Sequence, residues 1–323
     1  MAVLVTGGAG YIGSHMVYAL LERGSEVVVI DDLSTGFRRL VAPDAHFIEG
    51  NAGDARLVRD VIGRHSIEAV IHFAGSLLVA ESVATPLAYY ANNICTSRNL
   101  IDACLAEGLR DFIFSSTCAV YGTPANNPVG EDTPVNPLSP YGRSKLVIEW
   151  MLQDAARAHG LRYVALRYFN VAGADPQGRS GECTADASHL VRRACLAALG
   201  KIDHIDIFGT DFPTRDGTGV RDYIHVTDLV SAHLCALDYL RGGGNPAVLN
   251  CGYGRGFSVR EVIDAAASVS GRPVPARAAA RRAGDPSEVV ADPARLKQLF
   301  DWVPRHDSLE EIIATAYRWE QSN

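Results

Sequence analysis

Tyr141 and Lys145 stand four residues apart in Ser139-Pro140-Tyr141-Gly142-Arg143-Ser144-Lys145. Serine followed by proline reads as a helix start, so this spacing sets both side chains on one face, a turn apart. A tyrosine is a poor base near neutrality because its pKa is about 10, but a neighbouring ammonium favours the phenolate. Thr117 closes the strand-like run Asp111 to Ser116 and could share a hydrogen bond with the same substrate hydroxyl. Thr117, Tyr141 and Lys145 together are suited to reversible alcohol oxidation, in which a proton is removed beside a hydride acceptor. Tyr-x-x-x-Lys alone is common on solvated helix faces, so its meaning depends on what the rest of the chain positions.

The acceptor is foreshadowed in Met1 to Gly13, MAVLVTGGAGYIG. Val3, Leu4 and Val5 form a short apolar run, and Gly7, Gly8, Gly10 and Gly13 follow at once, which reads as a buried strand turning sharply into a helix. Gly8 and Gly10 are expected to make the tight turn and offer bare backbone to a pyrophosphate, and Gly13 to let helix and strand pack closely. A helix N-terminus favours negative charge without any basic side chain. A second strand-like run, Glu26 to Ile30, ends at Asp31, about 20 residues past the glycines, where a carboxylate can take both ribose hydroxyls of an adenosine. Asp31 and Asp32 would repel a 2′-phosphate, and Arg38 and Arg39 lie beyond the turn at Ser34-Thr35-Gly36, so the cofactor expected is NAD rather than NADP.

These groups need a scaffold, and the chain supplies an alternation. Further strands are expected at His46 to Ile48, Glu68 to Phe73, Asp111 to Ser116 and Arg162 to Phe169, and helices at Asp54 to Ile62, Pro86 to Glu107 and Pro140 to His159. That pattern predicts an α/β fold with a doubly wound parallel sheet of the Rossmann type. Its ligands sit beyond the carboxyl ends of the strands, at the loops after Thr6, Ile30, Phe73, Ser116 and Phe169. The alternation lapses near Ala172, so residues 1–171 are expected to form the NAD-binding domain. Residues 172–323 are expected to form mainly a smaller C-terminal α/β substrate domain, with some segments returning to the first.

Composition narrows the function classes. At 323 residues and 47% hydrophobic, the chain can bury a large core; its net charge of −7, with no lysine- or arginine-rich run, argues against nucleic acid or an anionic membrane as partner. It opens directly in a strand, without the charged segment of a signal peptide, and no apolar run approaches the roughly 20 residues of a membrane span, so a cytoplasmic location is expected. Seven cysteines without C-x-x-C spacing read as reduced thiols, and ten scattered histidines give no expectation of a metal site.

The chain resembles the extended short-chain dehydrogenase/reductase family, and within it the sugar-nucleotide 4-epimerases, over nearly its whole length. Beyond TGGAGYIGSH, the resemblance rests on IHFAG (71–75), ESV (81–83), PLAYYANN (86–93), FSSTCAVYG (114–122), SPYGRSK (139–145), RYFN (167–170), IFG (207–209) and DGTGVRDYIHVTDL (216–229). It implies a tightly held NAD that oxidises C4 of a UDP-hexose, with Tyr141 as base, Thr117 as its hydrogen-bonding partner and Lys145 tuning Tyr141 and holding the nicotinamide ribose. The keto sugar then turns about its pyrophosphate, and hydride returns to the other face. The resemblance also implies NAD contacts from Gly7, Gly10, Tyr11, Ile12 and Gly13, from Asp31, Asp32 and Ser34, from Asn51 and Ala52, from Phe73, Ala74 and Gly75, and from Asn92, Ser115, Tyr141, Lys145 and Phe169. For the UDP-sugar it implies Thr117, Asn170, His189, Leu190, Phe208, Arg221, Arg282 and Asp285, with Val289 beside the C2 substituent, and it implies a homodimer. Two arginines suit a pyrophosphate that an acidic protein otherwise repels.

Three positions depart from the family pattern: Asn51 replaces an acidic residue near adenine, Leu77 replaces a lysine after the Phe-Ala-Gly turn, and His189 replaces an asparagine. Related 4,6-dehydratases carry an Asp-Glu pair after the threonine, whereas Cys118-Ala119 cannot perform acid–base elimination, and the same absence disfavours decarboxylating relatives. A non-catalytic NAD sensor, which would keep the fold without its chemistry, would be expected to lack Tyr141 or Lys145.

Overall fold

The computed structural model describes residues 2–184, 189–282 and 284–323. Met1 and Ala283, which border two of the stretches read above, lie outside the described residues. The apolar runs form β1 (Ala2–Thr6), β2 (Glu26–Asp31), β3 (His46–Glu49), β4 (Ile67–His72), β5 (Asp111–Thr117) and β6 (Arg162–Tyr168). They lie in one seven-stranded sheet, in which β1 is flanked by β2 and then β3 on one side, and by β4, β5, β6 and finally Ala247–Cys251 on the other. The ladders β1–β2, β1–β4, β2–β3 and β4–β5 are all parallel. Every residue of β1 and β5 is buried, which explains why these strands read as unbroken apolar runs rather than as alternations. Strand order reverses between β1 and β4, the place where loops diverge and a doubly wound sheet opens to ligands.

The chain divides into two compact units. The first comprises the chain up to Gly122 together with Val135–Arg167 and Val230–Leu249. Its core joins Leu4, Val28, Ile30 and Val70 of the sheet to Val58, Leu100, Ile148 and Leu152 of the helices. The second comprises Thr123–Pro134, Tyr168–Leu229 and Asn250–Asn323, so Phe169 and Asn170 belong to it. There, Val220–His225 pairs in parallel with Asn170–Ala172 and with Glu288–Val289, and antiparallel to Gly256–Ser258. Helices Leu190–Ala198, Val259–Ser270 and Leu309–Ser322 close a core around Val191, Cys195, Val262, Ile312 and Ile313.

The helix expected over Pro86 to Glu107 is not uniform. Pro86–Tyr89 and Thr96–Ala106 are α-helical, but Tyr90–Cys95 between them winds as a π turn. Such a turn widens the coil by one residue and is frequent at functional sites. No helix among the described residues is long and apolar enough to cross a membrane.

Candidate functional site

The tight turn of the glycine loop contains Gly8 and is closed by the Gly10 N–H, which donates to the Gly7 carbonyl at 3.1 Å. The left-handed turn residue is Gly7, at φ +74°, whereas Gly10 is extended and serves as the N-cap of helix Tyr11–Glu22. A Cβ on Gly7 would lie 2.6 Å from the Ala74 backbone nitrogen, because β1 and β4 are adjacent and their loops pass in contact. A Cβ on Gly13 would lie 2.1 Å from the Gly7 carbonyl oxygen, so a side chain there cannot coexist with this turn. No side chain caps the helix and its first turn holds no acidic residue, which leaves its N-terminus open to an anion.

Asp31, at the end of β2, braces this loop: its carboxylate accepts hydrogen bonds from the backbone N–H of Ala9 and of Leu33, both at 2.9 Å. Burial pushes its pKa up, and the two N–H donors work against that rise. Each oxygen keeps a lone pair for a ribose hydroxyl. Asp32 is exposed and accepts from the backbone and hydroxyl of Ser34, so it shapes its own turn. Asn51 is exposed and its side-chain oxygen accepts from Gly53 N–H at 2.7 Å, while neighbouring Ala52 is buried. The backbone N–H groups of Phe73 and Ala74 both donate to the Thr6 carbonyl, locking the second loop to the first. The residues present therefore fit a dinucleotide: a bare helix start, a cradle with no room for a Cβ, and a carboxylate at the neighbouring strand end.

The structure brings the three catalytic candidates together. Thr117 ends β5, and Tyr141, on the first turn of helix Pro140–His159, shares a hydrogen bond with it. Ser139 caps that helix through its hydroxyl, and Gly142 tucks the first turn against the loop after β5, where a Cβ would sit 2.7 Å from the Ala119 carbonyl. Lys145 is buried, donates to the Ser115 carbonyl at 2.9 Å and stands 6.0 Å from the centre of the Tyr141 ring. Burial pushes the Tyr141 phenol up to about 12, partly offset by Thr117. Burial also brings the Lys145 ammonium down to about 8.

Three residues of this unit were not singled out from the sequence. Glu149, one further turn along the helix, accepts from the Ser116 hydroxyl at 2.5 Å and pairs with Arg167 of β6 through both oxygens, and Arg167 also donates to the Tyr121 hydroxyl. Burial works against the Arg167 charge, but Glu149 and Tyr121 outweigh it and hold its pKa above the ordinary value. The repeat 141, 145, 149 was the available signal, since these positions share one helix face. The third is Asn93. Of the pair Asn92-Asn93, Asn92 is exposed and reaches the Ser76 hydroxyl, whereas Asn93 is buried and bonds to the Ser76 backbone and the Ser144 hydroxyl. Asn93 thereby ties the π turn to the loop after β4 and to helix Pro140–His159. A Cβ on Gly75 would lie 3.0 Å from its side-chain oxygen.

The remaining candidates lie in the second unit. The Arg221 guanidinium pairs with Asp285 at 2.9 Å and Arg282 stacks on the Phe208 ring, its guanidinium carbon 3.7 Å from the centroid. Val289 is buried and in register with Arg221 on the neighbouring strand. His189 begins helix Leu190–Ala198 and pairs with Glu182 at 3.0 Å. Burial alone would raise the Glu182 pKa, but His189 and Thr184 outweigh it and hold it at about 2. Asp222 is a fourth residue missed: it is fully buried and accepts from the backbone of Tyr253, Gly254 and Ala291, so it braces the strand that carries Arg221.

The pattern described as the NAD dependent epimerase/dehydratase family matches residues 3–252. The chain is 53% identical over 320 residues to the UDP-glucose 4-epimerase of Azospirillum brasilense, covering 99% of this chain and 92% of that protein. It is also similar to the UDP-glucose 4-epimerase of Brucella ovis crystallised in complex with NAD, at 45% identity and a TM-score of 0.95 over 98% of this chain and 97% of that one. A further similar structure is the UDP-glucose 4-epimerase of Bifidobacterium longum in complex with NAD+ and UDP, at 35% identity and a TM-score of 0.95 over 100% of this chain and 99% of that one.

Proposed function

The chain belongs to the NAD dependent epimerase/dehydratase family, and from that premise we propose that it inverts C4 of a UDP-hexose, interconverting UDP-glucose and UDP-galactose with NAD as cofactor. The observation that carries this reading is the assembly of Thr117, Tyr141 and Lys145 at one strand end, with Cys118 and Ala119 where an eliminating relative needs an acid and a base. Gly7, Gly10, Tyr11, Ile12, Gly13 and Asp31 would hold the cofactor's adenosine and diphosphate, and Lys145 its nicotinamide ribose. Bound NAD supplies the acceptor for the C4 hydride and the donor that returns it, so nothing is oxidised overall. Tyr141 takes the proton of the C4 hydroxyl and later restores it, Thr117 aligns that hydroxyl, and the Lys145 charge favours the phenolate. Arg221 and Arg282 offset the substrate's diphosphate charge while the sugar turns. Incubating the NAD-loaded protein with UDP-galactose should produce UDP-glucose by proton nuclear magnetic resonance. A 6-deoxy-4-keto product, or no conversion, would overturn the reading.

Two features tune it. Leu77 is exposed where the family has a lysine, and the Asn51 side chain is engaged in its own turn, so a charge that would hold the cofactor's phosphates is missing. Purified wild type should lose NAD on dialysis and recover activity on its addition, and Leu77→Lys should need less; full retention by wild type would count against this. Val289 carries no ring or hydroxyl at the position that the family resemblance sets beside the sugar's C2 substituent, so an acetamido group is expected to fit there. Wild type should therefore also turn over UDP-N-acetylglucosamine, and Val289→Tyr should cut the acetylated-to-plain activity ratio about tenfold or more. An unchanged ratio would remove Val289 from the pocket.

The same reading extends to a cytoplasmic homodimer. Val83 and Leu87 are 64% and 78% exposed, and Trp150, on the helix packed beside Val79–Ala84, is 52% exposed. Adjacent exposed apolar groups of this size suit a surface covered by a second copy. Sedimentation should give a dimer at micromolar concentration and a shift towards monomer in Leu87→Glu; a monomeric wild type would exclude it.

A further inference from the structure

We propose that Glu26, His46 and His65 form a binding site for a borderline first-row divalent cation, for which Zn2+ is the probe. Their positions, 20 and 19 residues apart, show no ligand motif in the sequence. The fold brings them together: Glu26 opens β2, His46 opens β3, and His65 is the last residue of helix Ala55–His65. β2 and β3 are neighbours, with Val28 opposite His46. Ser66, in the left-handed conformation at φ 48°, ends the helix and turns the chain into β4. The group thus sits at the amino-terminal edge of the parallel strands, the opposite edge from Asp31 and Thr117.

The three donor atoms lie within 4.8 Å of one another, the only such group of His, Cys, Asp or Glu among the described residues. His46 Nε2 is 3.8 Å, and His65 Nδ1 3.7 Å, from the same oxygen, Glu26 Oε1. The imidazole rings stand 5.3 Å apart and tilted by 45°, so both nitrogens can turn towards a common point. Tetrahedral zinc, with bonds of about 2.0–2.1 Å, places its donors roughly 3.4 Å apart, so the carboxylate–imidazole distances need to contract by less than about half an ångström. Glu26 is half exposed and can make that adjustment, with water as the fourth ligand. Two imidazoles and one carboxylate suit Zn2+, Co2+, Ni2+ or Cu2+ rather than Mg2+ or Ca2+. The carboxyl end of the helix carrying His65 adds partial negative charge. A bound ion would clamp β2, β3 and that helix to one another, a structural role separate from the epimerase chemistry.

Equilibrium dialysis of tag-free, metal-stripped protein against Zn2+, read by elemental analysis, should give one ion per chain. His46→Ala and His65→Ala should each weaken binding at least about tenfold. Zn2+ should raise the melting temperature of wild type and leave that of the double variant unmoved, and Co2+ should give the visible bands of a four-coordinate ion only in wild type. Turnover of UDP-galactose should be the same in all variants. Should wild type take up no more zinc than the His46→Ala/His65→Ala double variant, whether both bind none or both bind equally, the site does not exist and the three side chains are only an imidazole–carboxylate pairing.

Discussion

Tyr141→Phe is expected to lower turnover ~10²–10⁴-fold while leaving the fold and the NAD content intact, the range for loss of a positioned acid–base group. Phenylalanine fills the same space, so helix Pro140–His159 and the contact of its first turn with the loop after β5 should survive. What disappears is the phenol hydroxyl that shares a hydrogen bond with Thr117 and is proposed to carry the proton. Thr117 cannot replace it, since an aliphatic hydroxyl is a far weaker acid than a phenol, and Lys145 is committed to the Ser115 carbonyl. Burial outweighs the Thr117 hydrogen bond and puts Tyr141 at about 12, and a nearby ammonium at Lys145 and a cationic nicotinamide would lower it. Up to about pH 8, where Lys145 keeps its charge, the wild-type rate should therefore rise with pH as phenolate accumulates, and this rise should vanish in the variant. Turnover near the wild-type value, or the same pH profile, would remove Tyr141 as the base.

Arg167→Leu should cost about 3–5 kcal/mol of stability, because it strands the buried Glu149 carboxylate without its partner. Arg167 is 6% exposed and Glu149 4%, so water cannot replace the lost contact. Against the 5–15 kcal/mol by which a domain is typically stable, such a loss leaves the first unit near unfolding at ordinary temperature. The double variant Glu149→Leu/Arg167→Leu should recover much of the loss by removing both charges together. Denaturant unfolding of the three proteins decides: a single variant within about 1 kcal/mol of wild type would mean that the pair is not what holds β6 to the catalytic helix.

The parts of the site that were legible in the sequence were those held by local chemistry. Gly7 to Gly13, Asp31 at a strand end, and the pair Tyr141 and Lys145 are all specified within one turn or one helix, so residue type and spacing expose them. The parallel, doubly wound sheet followed from the alternation, because parallel crossovers leave few topologies. What escaped was set by partners distant in the chain. Glu149 matters because Arg167 and Ser116 arrive from two neighbouring strands. Asp222 matters because three separate backbone N–H groups converge on it. The positive φ of Gly7 escapes for a related reason: its close approach to the loop at Ala74, 67 residues away, is a contact the local sequence does not show.

The π turn at Tyr90–Cys95 gives the number of residues in this segment a meaning of its own. One extra residue in a helix turns everything before it by about 100° relative to everything after it. Leu100, Ile101 and Cys104 keep their places against the sheet beyond the turn, while Asn93, within it, is turned towards Ser76 and Ser144. Shortening the segment by one residue would make a more regular helix and would carry Asn93 off its partners without altering a single side chain that remains. Along this stretch length, rather than composition, is what a working sequence has to conserve, and deletions should be tolerated less well than substitutions at any one of its exposed positions.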